Sequence, residues 1–454
     1  MATPEALLTL QGRVERLIAD DAILELRKLL TRLHPADIAD LIDVMRKEEQ
    51  VVVFELLDSV TAAEVLDETL DETMFDLVEA IPDEQIADLL EILPVDDAAE
   101  LLSELPADRS QELIALMELD EALQVQKLLG YKAETAGRLM SQKVARVRRQ
   151  WTVEETIEYL RALDPETETF AYLYTVDGND QLTGVVPLRH LLTAPPHTKL
   201  DGLANAHVVS VNVDTDQEQV ARLVARYDFA VIPVVDRQGR LAGVITHDDV
   251  VDILDKEATE DIQRLAGSQP LERTYLSVSA LTVARKRIGW LLMLLITATL
   301  TSTVMKLFQT DLAQVAALAI FIPMLIGTGG NAGSQTTATV IRALGLGEIN
   351  PRDALRVLWH ELRAGLIMGI VMAVAAFGYV LLWSHESALA QELALCVSLS
   401  IASILLWSVG MGALLPLIAA RMGIDPTVVS GPMMSTLVDA TGLLIYFSIS
   451  RLVL

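Results

Sequence analysis

The chain has 454 residues, with 35 Lys/Arg against 63 Asp/Glu and a net charge of −28. The charge is unevenly placed: residues 276–454 hold 10 basic and 8 acidic residues, which leaves 25 and 55 in residues 1–275. An acidic half of that size repels nucleic acid and attracts cations, and the single cysteine, Cys396, excludes a disulfide framework within the chain.

The N-terminal stretch MATPEALLTLQGRVERL has no basic segment followed by an apolar core. It is therefore read as carrying no signal peptide, and the acidic half is expected in the cytosol. Within residues 1–130, Pro82, Pro94 and Pro106 recur every 12 residues, each opening a short amphipathic segment: PDEQIADLLEIL, PVDDAAELLSEL, PADRSQELIALM. Proline suits the first helical position, and an acidic residue just after it suits the helix dipole. Short helices stacked on one another bury a continuous core, so this region reads as a solenoid-like, all-α domain. Taken alone, its acidic outer faces need no role beyond solvation.

Residues 140–255 contain an internal repeat. QLTGVVPLRHLL (181–192) aligns with RLAGVITHDDVV (240–251), and AYLYTVDGND (171–180) with AVIPVVDRQG (230–239), both at an offset of 59. Each copy reads as helix, strand, turn, strand, helix, with a glycine turn between the strands. The pattern resembles a tandem CBS pair, a regulatory α/β module that often binds adenine nucleotides between its copies. Tyr172, Phe229 and Arg189 are the adenosine or phosphate candidates by that resemblance; core aromatics and a surface arginine are the alternative.

Next comes HDDVVDILDKEATEDIQRLAG, residues 247–267. Helical spacing puts Val251, Leu254, Ala258, Ile262 and Leu265 on one face and Asp249, Asp252, Asp255, Glu257, Glu260 and Asp261 on the other. Docking such a helix against other acidic surfaces requires neutralisation, which divalent cations held between carboxylates would supply.

The rest of the chain offers five apolar runs, roughly 287–308, 313–343, 362–383, 391–420 and 427–452. Each has at least the ~20 residues that cross a bilayer, and the second is too long for one straight crossing. Arg285, Lys286 and Arg287 precede the first run, Arg342, Arg352, Arg356 and Arg363 flank the loop after the second, and Arg421 follows the fourth. That alternation fits five spans starting inside, with Arg451 the one dissent.

The second run is interrupted by GTGGNAGSQTT, residues 327–337. Irregular or closely packed backbone at membrane depth occurs where protein buries it or a water-filled cavity adjoins it. One reading is a packing seam of small residues. The other is a polar path faced by the run's carbonyls, hydroxyls and Asn331, which Gln335, Thr336, Thr337 and Thr339 at helical spacing favour; the candidate lining is Gly327, Asn331 and Gln335, with Ser435 and Asp439 on the last span. Asp439 is the ionisable residue far from both ends of a span, and a charge there costs on the order of 2.5–3.5 kcal/mol on insertion scales. No Lys or Arg lies at matching depth, so its partner is a passing cation, a proton, or a structural hydrogen bond. Carbonyl, hydroxyl, amide and carboxylate oxygens suit hard cations such as Mg²⁺ and Ca²⁺. One carboxylate is a thin site; a two-fold dimer would bring two together.

The segments PMLIGTGGNAG, DTDQEQVARLVARYDFAVIPVVD, EATEDI and VDATGLLIY, in this order, resemble the MgtE-type magnesium channels over nearly the whole chain. The resemblance implies a multidomain, homodimeric membrane protein. Its parts would be an all-α superhelical N domain (1–135), an α/β tandem CBS pair (136–253), a connecting plug helix (254–275) and an all-α five-span transmembrane domain (276–454). It implies that Asp439 binds hydrated Mg²⁺ in the pore. Regulatory Mg²⁺ ligands would be Glu64, Asp96 and Glu100 in the N domain and Glu218, Asp228, Asp249 and Asp252 in the CBS pair. Glu257, Glu260 and Asp261 would serve on the plug helix and Asp425 at the cytosolic pore mouth. This chain departs from the family pattern at Gly431 and Ser334, where asparagine is frequent, and at Glu100, where aspartate is usual.

The reading is a Mg²⁺-selective channel of a bacterial plasma membrane, gated by cytosolic Mg²⁺, with an adenine nucleotide as a candidate ligand of the CBS pair. The rivals are a carrier for Co²⁺ or another divalent ion with Mg²⁺ only regulatory, and a membrane-anchored adenylate sensor. No nucleophile–base constellation, Walker A loop or GxSxG is present, so no enzyme is expected.

Overall fold

In the computed structural model the described residues are 4–163, 171–271, 278–310, 315–383, 389–429 and 431–454. They form two compact units, one reaching to Lys256 and the other made of Glu257–Leu271 and Val278–Leu454.

The first unit begins with an array of short helices: α1 (Pro4–Ala19), α2 (Ile23–Leu30), α3 (Pro35–Asp43), α4 (Lys47–Phe54), α5 (Ser59–Glu68), α6 (Asp71–Ala80), α7 (Asp83–Ile92), α8 (Val95–Glu104), α9 (Ala107–Leu116) and α10 (Leu119–Leu129). Pro82, Pro94 and Pro106 sit at the N-cap, one residue outside the position the spacing predicts. Alternate helices stack, α3 on α5, α5 on α7 and α7 on α9. One continuous core runs from Val14 through Leu66, Leu90 and Leu128. Arg109 of α9 grips Asp83 at the start of α7 through two bonds of 2.6 and 2.7 Å and also reaches Val78 O, fixing the register of the stack.

The short helix α11 (Ala136–Leu139) leads into two sheets, β1 (Arg146–Arg148), β2 (Tyr172–Val176), β3 (Leu182–Pro187), and β4 (Val211–Asn212), β5 (Val231–Val235), β6 (Leu241–Thr246). Helices α12 (Val153–Ala162), α13 (Leu188–Thr193), α14 (Gln217–Tyr227) and α15 (His247–Leu265) complete the two copies. In both sheets the first strand pairs parallel to the second and the second antiparallel to the third. The register shift at Thr175/Val176 recurs at Val234/Val235, the sequence offset of 59 reproduced in backbone geometry. The two hairpin turns bond to each other, Leu182 N to Gly239 O and Leu241 N to Asp180 O.

Among the described residues the second unit holds five helices that are long and apolar enough to cross a membrane: α16 (Ala280–Leu307), α17 (Ala317–Gly345), α18 (Ala354–Trp383), α19 (Ala390–Arg421) and α20 (Gly431–Val453). Helix α19 is apolar all round and central, packed by α17, α18 and α20. Arg285, Lys286 and Arg287 lie inside the first turns of α16 rather than ahead of it.

Candidate ion path and its acidic surfaces

The glycine run does not break the helix. α17 is continuous from Ala317 to Gly345, with Pro323 inside it, so no irregular backbone is found there. Its two faces differ. A Cβ on Gly329 would lie 2.5 Å from Ile404, one on Gly330 2.6 Å from Ser435 Oγ, and one on Gly333 2.4 Å from Ser408 Oγ. A Cβ on Gly412 of α19 would lie 2.6 Å from Gly333 O. These glycines are a packing seam, where small residues let backbones approach. Polar side chains stitch it: Ser408 donates to Gly329 O, Thr337 to Gly412 O at 3.4 Å, and Tyr446 to Leu318 O at 3.0 Å.

The opposite face of α17 is open in the single chain. Gly327, Asn331 and Gln335 are all exposed at four-residue spacing, and nothing lies within 4 Å of a Cβ placed on Gly327. The seam reading holds for Gly329, Gly330 and Gly333; Thr336 and Thr337 are buried rather than open, and the exposed face is the candidate path. Ser435 is divided between them, since it is half-buried against Gly330.

Asp439 follows Val438, whose Cγ1 lies 3.0 Å from a Cβ on Gly329, which sets the carboxylate at the depth of the glycine run. It is half-buried and has no hydrogen-bond or ionic partner among the described residues. A carboxylate so placed is costly unless a cation or a proton shares it. At the cytosolic end of the same seam, Ser334 Oγ donates to Gly431 O at 3.0 Å, tying α17 to the start of α20.

The acids assigned by resemblance are scattered. Among the described residues no group of three or more His, Cys, Asp or Glu is arranged to hold a metal. Glu64 lies on the exposed side of α5, and Asp96 is buried in the first turn of α8. Glu218 pairs with Arg222, and Asp228 closes α14 in a left-handed conformation at φ 52°. Asp249 accepts from Thr246 N at 3.0 Å, bracing the start of α15. Glu257 and Asp261 are half-buried on α15. Glu260 and Asp425 both bond Arg264, and Asp425 also accepts from Thr427 N at 2.8 Å.

Glu100 and Asp252 of this set do crowd, against a further acid, Asp67, that the sequence reading did not assign. Asp67 of α5 is pushed up to about 6 by burial, with Glu100, Glu68 and Asp252 adding like charge and Lys256 opposing them. Burial also raises Asp249 and Asp252, and each feels the other acids of the first turns of α15. Partial desolvation works against the charge of Lys256, yet its bond to Glu100 leaves its pKa raised. A hard divalent cation would relieve the same crowding, and an all-oxygen donor set suits Mg²⁺.

In the CBS pair, Tyr172 opens β2 opposite Pro187, Arg189 is exposed in the first turn of α13, and Phe229 stacks on Tyr227 at 5.4 Å.

The buried face of α15 is Val250 and Ile253, while Val251, Leu254 and Ile262 are exposed in the single chain, Ile262 to 68%. The first turns read VVDIL, which offers two apolar stripes one residue apart; Val250 and Ile253 join the core of the first unit, and the other stripe is left outside.

The basic partners Lys256 and Arg264 were missed by reading the helix for its acids alone. Their isolation among carboxylates was the available signal; their partners on other elements, Glu100 and Asp425, lie 156 and 161 residues away.

Comparison with known proteins follows this layout. A profile described as a divalent cation transporter, MgtE, matches residues 322–449, one for the MgtE intracellular N domain matches 33–134, and a CBS-domain profile matches 201–256, the second copy of the repeat. A magnesium transporter MgtE of Thermus thermophilus is 39% identical over 432 residues, 94% of this chain and 95% of the relative. One from Bacillus subtilis is 34% identical over 330 residues, 73% of this chain and 72% of the relative. The solved cytosolic domain of the Mg²⁺ channel MgtE in complex with ATP is 37% identical and superposes with a TM-score of 0.51, covering 54% of this chain and 99% of that one. The solved soluble part of a magnesium transporter is 28% identical, with a TM-score of 0.50 over 56% of this chain and 99% of its own. Five apolar helices together with the transporter and intracellular-domain matches describe a multi-pass membrane protein. Identity of 39% across nearly the full length of both chains settles the kinship: this chain belongs to the MgtE family.

Proposed function

We propose that the chain forms a homodimeric Mg²⁺-selective channel, closed by cytosolic Mg²⁺, through which Mg²⁺ enters the cell passively. The observation that carries this reading is the open face of α17, with Gly327, Asn331 and Gln335 exposed, together with a carboxylate on α20, Asp439, that has no partner among the described residues. The name of the Thermus thermophilus relative supports magnesium as the ion. The domains would be 1–135 (N domain), 136–253 (CBS pair), 254–275 (plug helix) and 276–454 (pore).

Mg²⁺ sheds water reluctantly, so oxygen groups that receive a hydrated ion fit it better than a dry cage. Two Asp439 side chains on a two-fold axis would offset the ion's charge where the bilayer offers no solvation. The membrane potential contributes about 2.3 kcal/mol per charge per 100 mV, enough to drive uptake without coupled chemistry. Crowded carboxylates around Asp67, Glu100 and Asp252, and the acids Glu64, Asp96, Glu218, Asp228, Asp249, Glu257, Glu260, Asp261 and Asp425, would hold the regulatory ions. Their loss would leave like charges facing one another and release the docked surfaces. The solved relative with ATP supports an adenine nucleotide at the CBS pair, with Tyr172, Arg189 and Phe229 as its contacts.

The test is Mg²⁺ uptake by the purified chain in liposomes with internal Mg²⁺ varied. Uptake that falls as internal Mg²⁺ rises supports the reading. Uptake of Co²⁺ in preference to Mg²⁺ would favour the rival carrier, and no divalent flux at all would overturn both.

A further inference from the structure

Helix α15 carries two Lys/Arg residues, Lys256 and Arg264, and each bonds a carboxylate on another element. Lys256 bonds Glu100 of α8. Arg264 is placed between two acids: Nη2 bonds Glu260 one turn earlier on α15, and Nη1 bonds Asp425, the residue that caps the short turn leading into α20. A divalent cation closing α15 onto the membrane helices would claim those two carboxylates. In this structure a guanidinium bridges them.

The end of α15 is seated as well as paired. Leu265 O lies 3.7 Å from a Cβ placed on Gly431, the first residue of α20. Gly267, at φ 75°, turns the chain beneath Trp290 of α16; a Cβ there would lie 2.5 Å from the indole nitrogen. Gln269 N bonds Lys286 O at 3.2 Å, and Gln263 Oε1 accepts from Leu271 N at 2.6 Å. The Arg264 bridge therefore acts on a helix end that already has a fitted place among α16 and α20.

We propose that Arg264 is a tethered cation, a positioning residue that holds the C-terminal end of α15 on the membrane helices when divalent ions are scarce. It also competes with them for Glu260 and Asp425. The proposal rests on the channel reading for its consequence, which is a partly closed state without Mg²⁺. Arginine keeps its charge at any physiological pH and presents separate nitrogens to separate carboxylates. One guanidinium between two carboxylates leaves a net −1, whereas a divalent ion leaves 0; the tether is the weaker of the two clamps. Arg264 and Asp425 are 41% and 37% exposed, and pairs that open to water contribute modestly.

Competition gives two effects of opposite sign, which a merely structural arginine would not. In a Cys396→Ser chain held in lipid nanodiscs, a cysteine placed by Leu265→Cys is labelled with a membrane-impermeant maleimide, from EDTA to millimolar Mg²⁺. With Arg264→Gln, labelling in EDTA should be about threefold faster, matching the loss of one exposed pair. The Mg²⁺ concentration for half-protection should fall, because the carboxylates are no longer occupied. Arg264→Lys should restore slow labelling in part. Asp425→Asn, which cuts the same bridge from the other side, should label fast in EDTA and gain little protection from Mg²⁺. Unchanged labelling in EDTA for both Arg264→Gln and Asp425→Asn would overturn the tether, as would a half-protection concentration that rises in Arg264→Gln. If Mg²⁺ protects no variant, the parent included, metal-driven docking fails, while the EDTA difference still decides the tether.

Discussion

The two faces of α17 use similar residues for opposite ends. On one face Gly329, Gly330 and Gly333 are pressed against Ile404, Ser435 and Ser408, and the absence of a side chain is what lets the helices meet. On the other, Gly327, Asn331 and Gln335 face open space in the single chain. A glycine-rich stretch in a membrane helix therefore has no single meaning. Which neighbour occupies each side decides whether a residue is packed or left open.

The contrast breaks if the packed face tolerates bulk. Gly412→Val would aim its side chain at Gly333 O, 2.6 Å from the Cβ, and backbone cannot step aside as a flexible side chain can. A loss of about 2–3 kcal/mol is expected, read as a lowered unfolding midpoint in detergent. The contrast sharpens if the open face does the reverse. Asn331→Leu should leave that midpoint unchanged yet reduce Mg²⁺ flux about tenfold, the loss of one polar contact to the ion of roughly 1.4 kcal/mol. Equal damage by both substitutions to the midpoint would erase the distinction. Ser334→Ala lies at the seam's cytosolic end and removes the 3.0 Å bond to Gly431 O; about 0.5–1 kcal/mol should go, with flux altered less than by Asn331→Leu.

Repeats and lengths were legible in the sequence because they are local or periodic. The 59-residue offset became a repeated register shift, the proline spacing a stack of helices, and five apolar runs five long helices. Contacts between distant segments were not legible. Nothing in GTGGNAGS says that residues 329, 330 and 333 face α19 and α20 while 327 and 331 do not. VVDIL offers two stripes, and the CBS core, not the helix, selects Val250 and Ile253. The pairing of Arg264 with Asp425 spans 161 residues.

The smallest effect concerns another acid, one that does have partners. Asp43 accepts from Leu70 N at 3.2 Å, and burial pushes its pKa up to about 6, against the bonds from Thr73 and Leu70 that pull it down. Below about pH 4 the carboxyl is neutral in folded and unfolded chains alike. As pH rises through about 6 the folded chain must ionise it in a half-dry place, so this residue's contribution falls with rising pH. Asp43→Asn should remove that slope from thermal unfolding measured between pH 4 and 7, a change of about 1 kcal/mol or less after solvent screening. An unchanged slope would place the titration elsewhere.

Whether the open side of α17 and its neighbour on α20 conduct is decided most directly by Asp439→Asn in liposomes. The variant should keep the parent's elution and unfolding profile, since no bond among the described residues depends on that carboxylate, and lose nearly all Mg²⁺ uptake. A well-folded Asp439→Asn chain that carries Mg²⁺ at the parent's rate would contradict the account.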